Sequence, residues 1–363
     1  MKIEFNNEKL ERFIPIDFRE LQENLEKENI IKKDAMQNLV STLNDSIHNS
    51  LHPKLLNLQK NYHPFNPDKD TVSIKEYSKD ELEICQKQLQ EEIRVILNNA
   101  NYEKLSQEEL NSSINEKSPY GVEVSVDFEY FENIELYFRG SAIKTEKFRS
   151  LKSLYFKKEE TQTKVFKRLF ILFKPKDSSQ KIFIKLFKNI PSTDLDTLFP
   201  NTKVKMTLVD KLKLLLTGGG GTVGGAVTLM SKIAILIEPI ALLTAIGAFV
   251  GILWRQVKSV FNHRVKYMAK LSKNLYFYNL GNNAGVISHL IQSAQEEEFK
   301  ESFLAYIFLY KNGALSAQEL DKSIEEYIKK TYNISMDFEI EDALLKLRHM
   351  ELITYEDGKY RVA

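Results

Sequence analysis

Residues 165–188 of the chain are VFKRLFILFKPKDSSQKIFIKLFK. Val, Ile, Leu and Phe recur at alternate positions in both halves of this stretch, which predicts two β-strands, Val165–Lys174 and Lys181–Lys188. The residues between them, Pro175–Ser179, favour a turn. The sequence therefore predicts an antiparallel hairpin at the centre of a sheet.

Further patterns lie on the N-terminal side of this hairpin. Val122–Phe138 shows the same period of two and predicts another strand region. Residues 18–60 and 78–115 instead carry apolar residues at helical spacing, so the N-terminal third is predicted to be mainly helical. Pro53 is expected to end the helix in which it lies, because proline removes a backbone donor.

The C-terminal tail shows the pattern of two helices. Ser316 is expected to cap a helix that extends to Lys330, and Asp337 to cap a second one that extends to Met350. The second helix carries more acidic than basic residues, which disfavours contact with DNA phosphate. We interpret this unit as one for protein interaction or self-packing.

Two short strands follow these helices. Leu352–Tyr355 and Arg361-Val362 flank a turn at Asp357-Gly358. The order helix, helix, two-stranded hairpin predicts a winged-helix-like domain.

The composition excludes several classes of protein. Hydrophobic residues make up 43% of the 363 residues and charged residues 28%, which is enough apolar material for packed cores and excludes a globally disordered chain. Cys85 is the single cysteine, so an intramolecular disulfide is excluded. A mean hydropathy of -0.33 excludes a bundle that lies mostly in lipid.

The formal net charge of +1 conceals large blocks of opposite sign. Residues 1–138 carry −11, residues 139–188 carry +11, residues 189–280 carry +7 and residues 281–363 carry −6. A basic middle region predicts an anionic neighbour, which could be nucleic acid, an acidic protein face or phospholipid headgroups. Three lysines among the large apolar residues predict a basic face on the sheet: Lys164, Lys167 and Lys174.

Two long apolar stretches lie inside the basic region. Residues 214–231 have no charge, and Glu238 is the only charge in residues 233–254. Each stretch is near the roughly 20 residues that a helix needs to cross a bilayer. Basic residues flank both sides, so the positive-inside rule requires an even number of crossings. We predict a transmembrane helical hairpin at 211–256; the alternative is a buried core helix preceded by a glycine loop.

Candidate site residues follow from this hairpin. Five residues are predicted at the membrane interface: Lys211, Lys213, Trp254, Arg255 and Lys258. Glu238 is the candidate functional residue within the membrane, unless it lies at the far interface or pairs with Lys232. We predict no catalytic, cofactor-binding or metal-binding residues. The G-x-G-x-x-G match at Gly219–Gly224 lacks the βαβ context of a dinucleotide site, and the scattered histidines complete no metal site.

Seven stretches together resemble one family. They are Arg12–Ile16, Tyr62–Asp68, Tyr137–Gly140, Lys185–Pro191, Asp194-Leu195, Lys213–Gly225 and Asn279–Gly285. In order and spacing they resemble the domain-of-unknown-function 3754 family, whose animal members are known as transmembrane protein 143. The resemblance implies a membrane-anchored protein with two closely spaced spans and brings no activity. Arg139-Gly140 and Asn282-Asn283 are the candidate functional positions within these stretches; the alternative, which we favour, is a strand-end turn and a helix cap.

The predicted fold class is α+β, with a helical N-terminal region, a basic α+β domain, a two-helix transmembrane hairpin and a C-terminal winged-helix-like domain. Five ranges are predicted: an acidic helical N-terminal region at 1–117, a basic α+β domain at 118–210, the transmembrane hairpin at 211–256, a basic juxtamembrane helix at 257–280 and the C-terminal domain at 281–363.

We expect a membrane-anchored scaffold or interaction protein, without enzymatic activity, that faces the cytoplasm on an anionic membrane. The alternative is a lipid-handling or transport-coupled factor that uses the glycine-rich hairpin and Glu238. The expected partners are membrane phospholipids and proteins at the acidic ends; the glycine-rich helices could mediate oligomerisation, and nucleic acid is disfavoured. Lys-, Asn- and Ile-rich usage and the lack of a presequence predict the bacterial cytoplasmic membrane, with most of the chain in the cytoplasm.

Overall fold

The computed structural model describes residues 4–5, 10–71, 75–106, 108–110, 122–149, 158–176, 180–206, 269 and 276–363. Within these residues, helices from both ends of the chain pack on one face of an antiparallel sheet. This is an α+β fold, and the predicted helical N-terminal region and sheet are confirmed.

Three helices form the N-terminal region: α1 Phe18–Lys27, α2 Lys33–Tyr62 and α3 Lys79–Asn99. The sequence explains where two of them begin. The Asp17 carboxylate accepts a hydrogen bond from the Arg19 amide at the start of α1. Ser78 and Glu81 form a capping box at the start of α3, which satisfies two backbone donors.

Helix α2 continues through Pro53, so the predicted stop at this residue is wrong. Leu51 and Leu58 lie on either side of the proline and are both 1% exposed. Burial of this apolar face offsets the hydrogen bond that proline removes.

The strands are β1 Glu4–Phe5, β2 Glu103–Lys104, β3 Val122–Val126, β4 Phe131–Arg149, β5 Lys158–Pro175, β6 Phe183–Pro191, β7 Thr202–Met206 and β8 Asn279–Asn282. The main sheet has the order β1-β4-β5-β6-β8, and β2 also pairs with β4. All these pairings are antiparallel. Strands β3 and β7 form a separate two-stranded sheet. The predicted hairpin of residues 165–188 is therefore confirmed as β5 and β6.

Alternation along β5 produces two hydrophobic cores. Phe170 and Leu172 belong to the core that the helices share. Leu169, Ile171 and Phe173 belong to the second core, on the other face of the sheet. The second core is closed by residues of the 3-10 segment Ser192–Leu198 and by the residue after it: Leu195, Leu198 and Phe199. Because a strand has a period of two, one stretch of sequence supplies both cores.

Helix α4, Ala284–Asn312, is the longest element of the C-terminal part and contacts α2 and α3. It is followed by α5 Ala317–Tyr332, α6 Ile340–His349, β9 Ile353–Glu356 and β10 Lys359–Val362. Strands β9 and β10 form a hairpin, and Leu315 pairs with Tyr360 of β10. Both α5 and α6 pack on α4, which links this unit to the N-terminal helices.

One predicted cap in this unit is confirmed and the other is wrong. Ser316 forms a capping box with Glu319 at the start of α5. Helix α6 begins at Ile340 with Glu339 at the cap position, and not after Asp337. The Asp337 amide instead donates a hydrogen bond to the Glu11 carbonyl at 2.9 Å. This contact with a distant segment displaces the helix start that the local sequence favours.

The structure contradicts the fold class in one respect, because it does not support the transmembrane hairpin. No helix among the described residues is both long enough and apolar enough to cross a membrane. Helices α2 and α4 have the length, with 30 and 29 residues, but each carries charged side chains along its course. The fold class is corrected to α+β without the hairpin, and the membrane and transmembrane descriptions are withdrawn with it. Residues 211–256 themselves lie outside the described residues.

Candidate functional site

The site residues predicted from the hairpin cannot be compared with geometry, because they lie outside the described residues. They are Lys211, Lys213, Glu238, Trp254, Arg255 and Lys258. The polar groups that the structure does bring together surround helix α4, the sheet edge of β4 and the C-terminal unit.

Helix α4 buries four charged residues: Glu297, Glu298, Lys300 and Glu301, each at most 3% exposed. We call them the α4 charge cluster. Charged side chains are almost never fully buried unless they are paired and hydrogen-bonded. Their partners therefore identify what this helix holds in place.

The first partner is the N-terminal segment, residues 10–16. The Ile14 amide donates to Glu297 Oε1 at 2.5 Å. Lys300 Nζ donates to the carbonyl oxygens of Ile14 at 2.8 Å and Ile16 at 3.4 Å, and lies 3.5 Å from Glu297 Oε2. One buried ion pair thus satisfies the backbone of a segment about 280 residues away in the chain.

The second set of partners lies at the end of α3 and on α6. Asn101 Nδ2 donates to Glu301 Oε1 and to the Arg12 carbonyl, both at 2.8 Å. Glu298 Oε1 lies 3.3 Å from Lys346 Nζ on α6. Burial raises the pKa of Glu301 well above its usual range, and the neighbouring Glu297 raises it further. The cluster therefore joins α4 to the N-terminal segment, the end of α3 and α6. Removing its charged side chains from water costs free energy.

The N-terminal segment also contacts the sheet through Glu11. Its Oε1 atom accepts from the Ser141 amide at 3.2 Å and from Lys167 Nζ at 3.0 Å. Gly140, the residue before Ser141 in β4, has a φ of +74°, and a Cβ atom there would lie 2.6 Å from Phe13 Cε1. Only glycine allows this close approach without strain.

Three cations lie side by side across the sheet next to this contact. Arg139 of β4 is paired with Arg168 of β5, and Arg168 is paired with Lys188 of β6. We call these residues the cation row. Paired residues on neighbouring antiparallel strands point to the same face, so their charges lie close together. Burial lowers the pKa of Arg168, and the positive charge of Arg139 lowers it further.

A separate network joins two of the stretches that resemble the family. Asn283 Oδ1 lies 3.1 Å from the Tyr62 hydroxyl and accepts from the Ile184 amide at 3.1 Å, and Asn283 Nδ2 donates to Asp68. Burial raises the pKa of Tyr62, and the Asp68 charge raises it further. Asn283 holds the cap position of α4, but its side chain makes no capping bond. Asn283 therefore lies at the predicted cap position, but its side chain bonds Tyr62, Ile184 and Asp68 and does not cap the helix.

The exposed face of α6 carries a stripe of three residues one turn apart: Glu341, Leu345 and Arg348. We call it the α6 stripe. The Leu345 side chain is 53% exposed, and Tyr355 on the adjacent β9 is 49% exposed. The Arg348 guanidinium lies 5.8 Å from the centre of the Tyr355 ring. The stripe and Tyr355 form an exposed apolar surface with a charge at each end.

The described residues contain no group of three or more His, Cys, Asp or Glu placed to hold a metal ion. The arrangement is instead one of buried ion pairs that fix distant segments, with a half-buried cation row on the sheet and an apolar stripe at the surface. This defines an α+β protein organised around a central helix.

Comparison with known families bears on this fold. Residues 131–285 match the family described as "Protein of unknown function (DUF3754)", which supports assigning the chain to that family. The predicted resemblance is thereby confirmed, while its link to transmembrane protein 143 stays a prediction. No solved structure matches the chain.

The sequence missed the α4 charge cluster and the cation row. The signal for the first was the run of charges between apolar residues in Glu296–Glu301. Helix α4 buries charged as well as apolar residues, because the charged side chains bond to residues from elsewhere in the chain. The cation row depends on the register of three strands, which no local pattern specifies.

Proposed function

We propose that this protein is an interaction scaffold that assembles with a second copy of itself through α6 and β9. The exposed α6 stripe is the observation that carries the proposal. The C-terminal unit keeps an apolar leucine and a tyrosine at the surface, although its buried residues pack into the core that it shares with the N-terminal helices. Exposed apolar residues with a polar rim are typical of protein interfaces.

The charges of the stripe favour a second copy as the partner. Glu341 lies one turn before Leu345 and Arg348 one turn after it. When two such helices pack antiparallel about a two-fold axis at Leu345, Glu341 of each copy faces Arg348 of the other. The acidic first turn and basic last turn of α6 also complement each other in this orientation.

The charge balance of α6 favours protein over nucleic acid. Glu341 and Asp342 lie in the first turn, which would repel phosphate. Lys346, which could oppose them, contacts Asp342 on the same helix and Glu298 on α4. Binding of the assembled protein to anionic phospholipid stays a prediction of the charge distribution. Lipid handling through the glycine-rich hairpin and Glu238, the alternative to the scaffold function, concerns residues outside the described part of the chain.

Leu345→Glu is expected to abolish this assembly, because it places two carboxylates at the two-fold axis. Sedimentation velocity of the full chain measures it, and the wild-type protein should reach a mass twice the 42.2 kDa of one chain. The matched control is Leu56→Glu on α2, where the leucine is also 53% exposed. A monomeric wild type, or equal assembly of both variants, would refute the proposal.

A further inference from the structure

We infer that the cation row Arg139, Arg168 and Lys188 is a binding site for a phosphate group. The three residues occupy neighbouring positions on β4, β5 and β6. Neighbouring strands lie about 4.8 Å apart, so the outer residues of the row are separated by about 10 Å along the sheet. This separation leaves room for one phosphate or diphosphate group between the side chains of Arg139 and Lys188.

No carboxylate among the described residues pairs with the row. Within the described part of the chain, none of the three cations forms a salt bridge. Like charges directly opposite each other on a sheet are destabilising. A bound anion would relieve that repulsion, which gives the row a reason to retain three positive charges.

The two acidic residues whose charges act on the arginines of the row are engaged elsewhere. Glu296 Oε1 lies 3.1 Å from Lys300 Nζ. Glu297 accepts the Ile14 amide and faces the same lysine. Their charges act on Arg168 and Arg139 at longer range only.

The guanidinium of Arg139 is held ready for a ligand. Its carbon Cζ lies 5.2 Å from the centre of the Phe13 ring and 5.3 Å from that of Tyr102. Its Nε atom is buried and has no hydrogen-bond partner among the described residues, which leaves a donor unsatisfied. Arg168 is fixed by a hydrogen bond from its Nη1 atom to the Lys167 carbonyl at 3.0 Å. Preorganised donors of this kind lose little freedom on binding.

The residues that follow the two outer members of the row both have a positive φ. Gly140 follows Arg139 with a φ of +74°, and Asn189 follows Lys188 with a φ of +53°. All three cations remain half-buried, so a ligand reaches them from solvent. The row is thus a built feature of the sheet and not three mobile surface side chains.

Phosphate is the anion that this donor set fits best. A guanidinium presents paired N–H donors that match two phosphate oxygens, and the lysine adds a compact charge. The group can belong to a soluble phosphate ester or to a phospholipid headgroup. Both share the phosphate chemistry, and the experiment below separates them.

The test is titration calorimetry of the full chain with inorganic pyrophosphate at constant ionic strength. Arg168→Gln is expected to weaken binding by about tenfold or more, because it removes a hydrogen-bonded charge. The matched control, Lys176→Gln, removes the same formal charge at an exposed position directly after the end of β5, eight residues from Arg168, and should leave the affinity within about twofold. Circular dichroism should show both variants folded, since Arg168→Gln also removes a repulsion.

Vesicles of phosphatidylcholine with and without phosphatidic acid distinguish the two sources. If the wild-type protein sediments with the acidic vesicles and the Arg168→Gln variant does not, the ligand is a phospholipid headgroup. If the protein binds pyrophosphate but does not sediment with the vesicles, the ligand is a soluble phosphate ester. The inference is overturned when neither ligand binds, when chloride at equal ionic strength has the effect of pyrophosphate, or when Arg168→Gln and Lys176→Gln lose the same affinity.

Discussion

Lys300→Met is expected to lower the free energy of unfolding by about 3–5 kcal/mol. Lys300 is 3% exposed, and its ammonium faces Glu297 and two backbone carbonyls of the N-terminal segment. Methionine fills a similar volume but leaves Glu297 as a buried carboxylate without its cation. Burial already raises the pKa of Glu297 and Lys300 opposes that shift, so the loss of the lysine favours the protonated acid still more.

Urea unfolding followed by circular dichroism measures this loss. Lys311→Met is the matched control: its partner is Glu28 at 2.8 Å, and the two side chains are 41% and 36% exposed. This exposed pair should contribute less than about 1 kcal/mol. Adding Glu297→Gln to Lys300→Met should recover part of the loss, because the amide needs no counterion. Equal losses for the two lysine variants would mean that the buried pair does not secure the N-terminal segment.

Gly140→Ala should cost about 2–4 kcal/mol. The residue has a φ of +74°, which strains any L side chain, and the new Cβ would lie within 3 Å of Phe13, Glu11 and Lys167. Glu11 is held at this place by Lys167 and the Ser141 amide, so it does not move aside freely. The substitution therefore displaces the N-terminal segment from the sheet.

Thermal unfolding compares this variant with Gly285→Ala in the first turn of α4. A Cβ at Gly285 meets nothing within 4 Å. Alanine also has the higher helix propensity, so this control should be neutral or more stable by up to about 1 kcal/mol. Similar melting temperatures for both variants would contradict the close packing at Gly140.

The strands could be predicted because their signal is local. Alternation in residues 165–188 and in Val122–Phe138 depends only on neighbouring residues, and β4, β5 and β6 follow from it with altered limits. The two-residue strands β1 and β2 have no such pattern. They form because β4 offers an open edge, which is a property of the folded sheet.

Positions in the folded sheet explain the remaining errors. Arg139-Gly140 was predicted as a strand-end turn, but β4 continues to Arg149, so the positive φ lies within the strand. The predicted basic face used Lys167 and Lys174, which pair with Glu11 and Glu132 in the structure. The members of the cation row, which form no salt bridge with the residues that the structure describes, come from three strands, and only the register brings them together.

Two stretches that were noted for the family resemblance make long-range contacts that hydrophobic periodicity did not predict. The Tyr62–Asp68 stretch lies outside the matched residues 131–285, yet it bonds Asn283 within them. The Arg12–Ile16 stretch likewise binds the α4 charge cluster. These two stretches thus mark where distant parts of the chain meet.

Sedimentation velocity of two charge-reversed variants tests the proposed assembly most directly. Glu341→Arg and Arg348→Glu each place like charges against each other in an antiparallel pair of α6 helices, so each variant alone should be monomeric. Mixed in equal amounts, they restore both attractive contacts and should form a species of twice the 42.2 kDa chain mass. A mixture that stays monomeric, or single variants that assemble like the wild type, would contradict self-assembly through the α6 stripe.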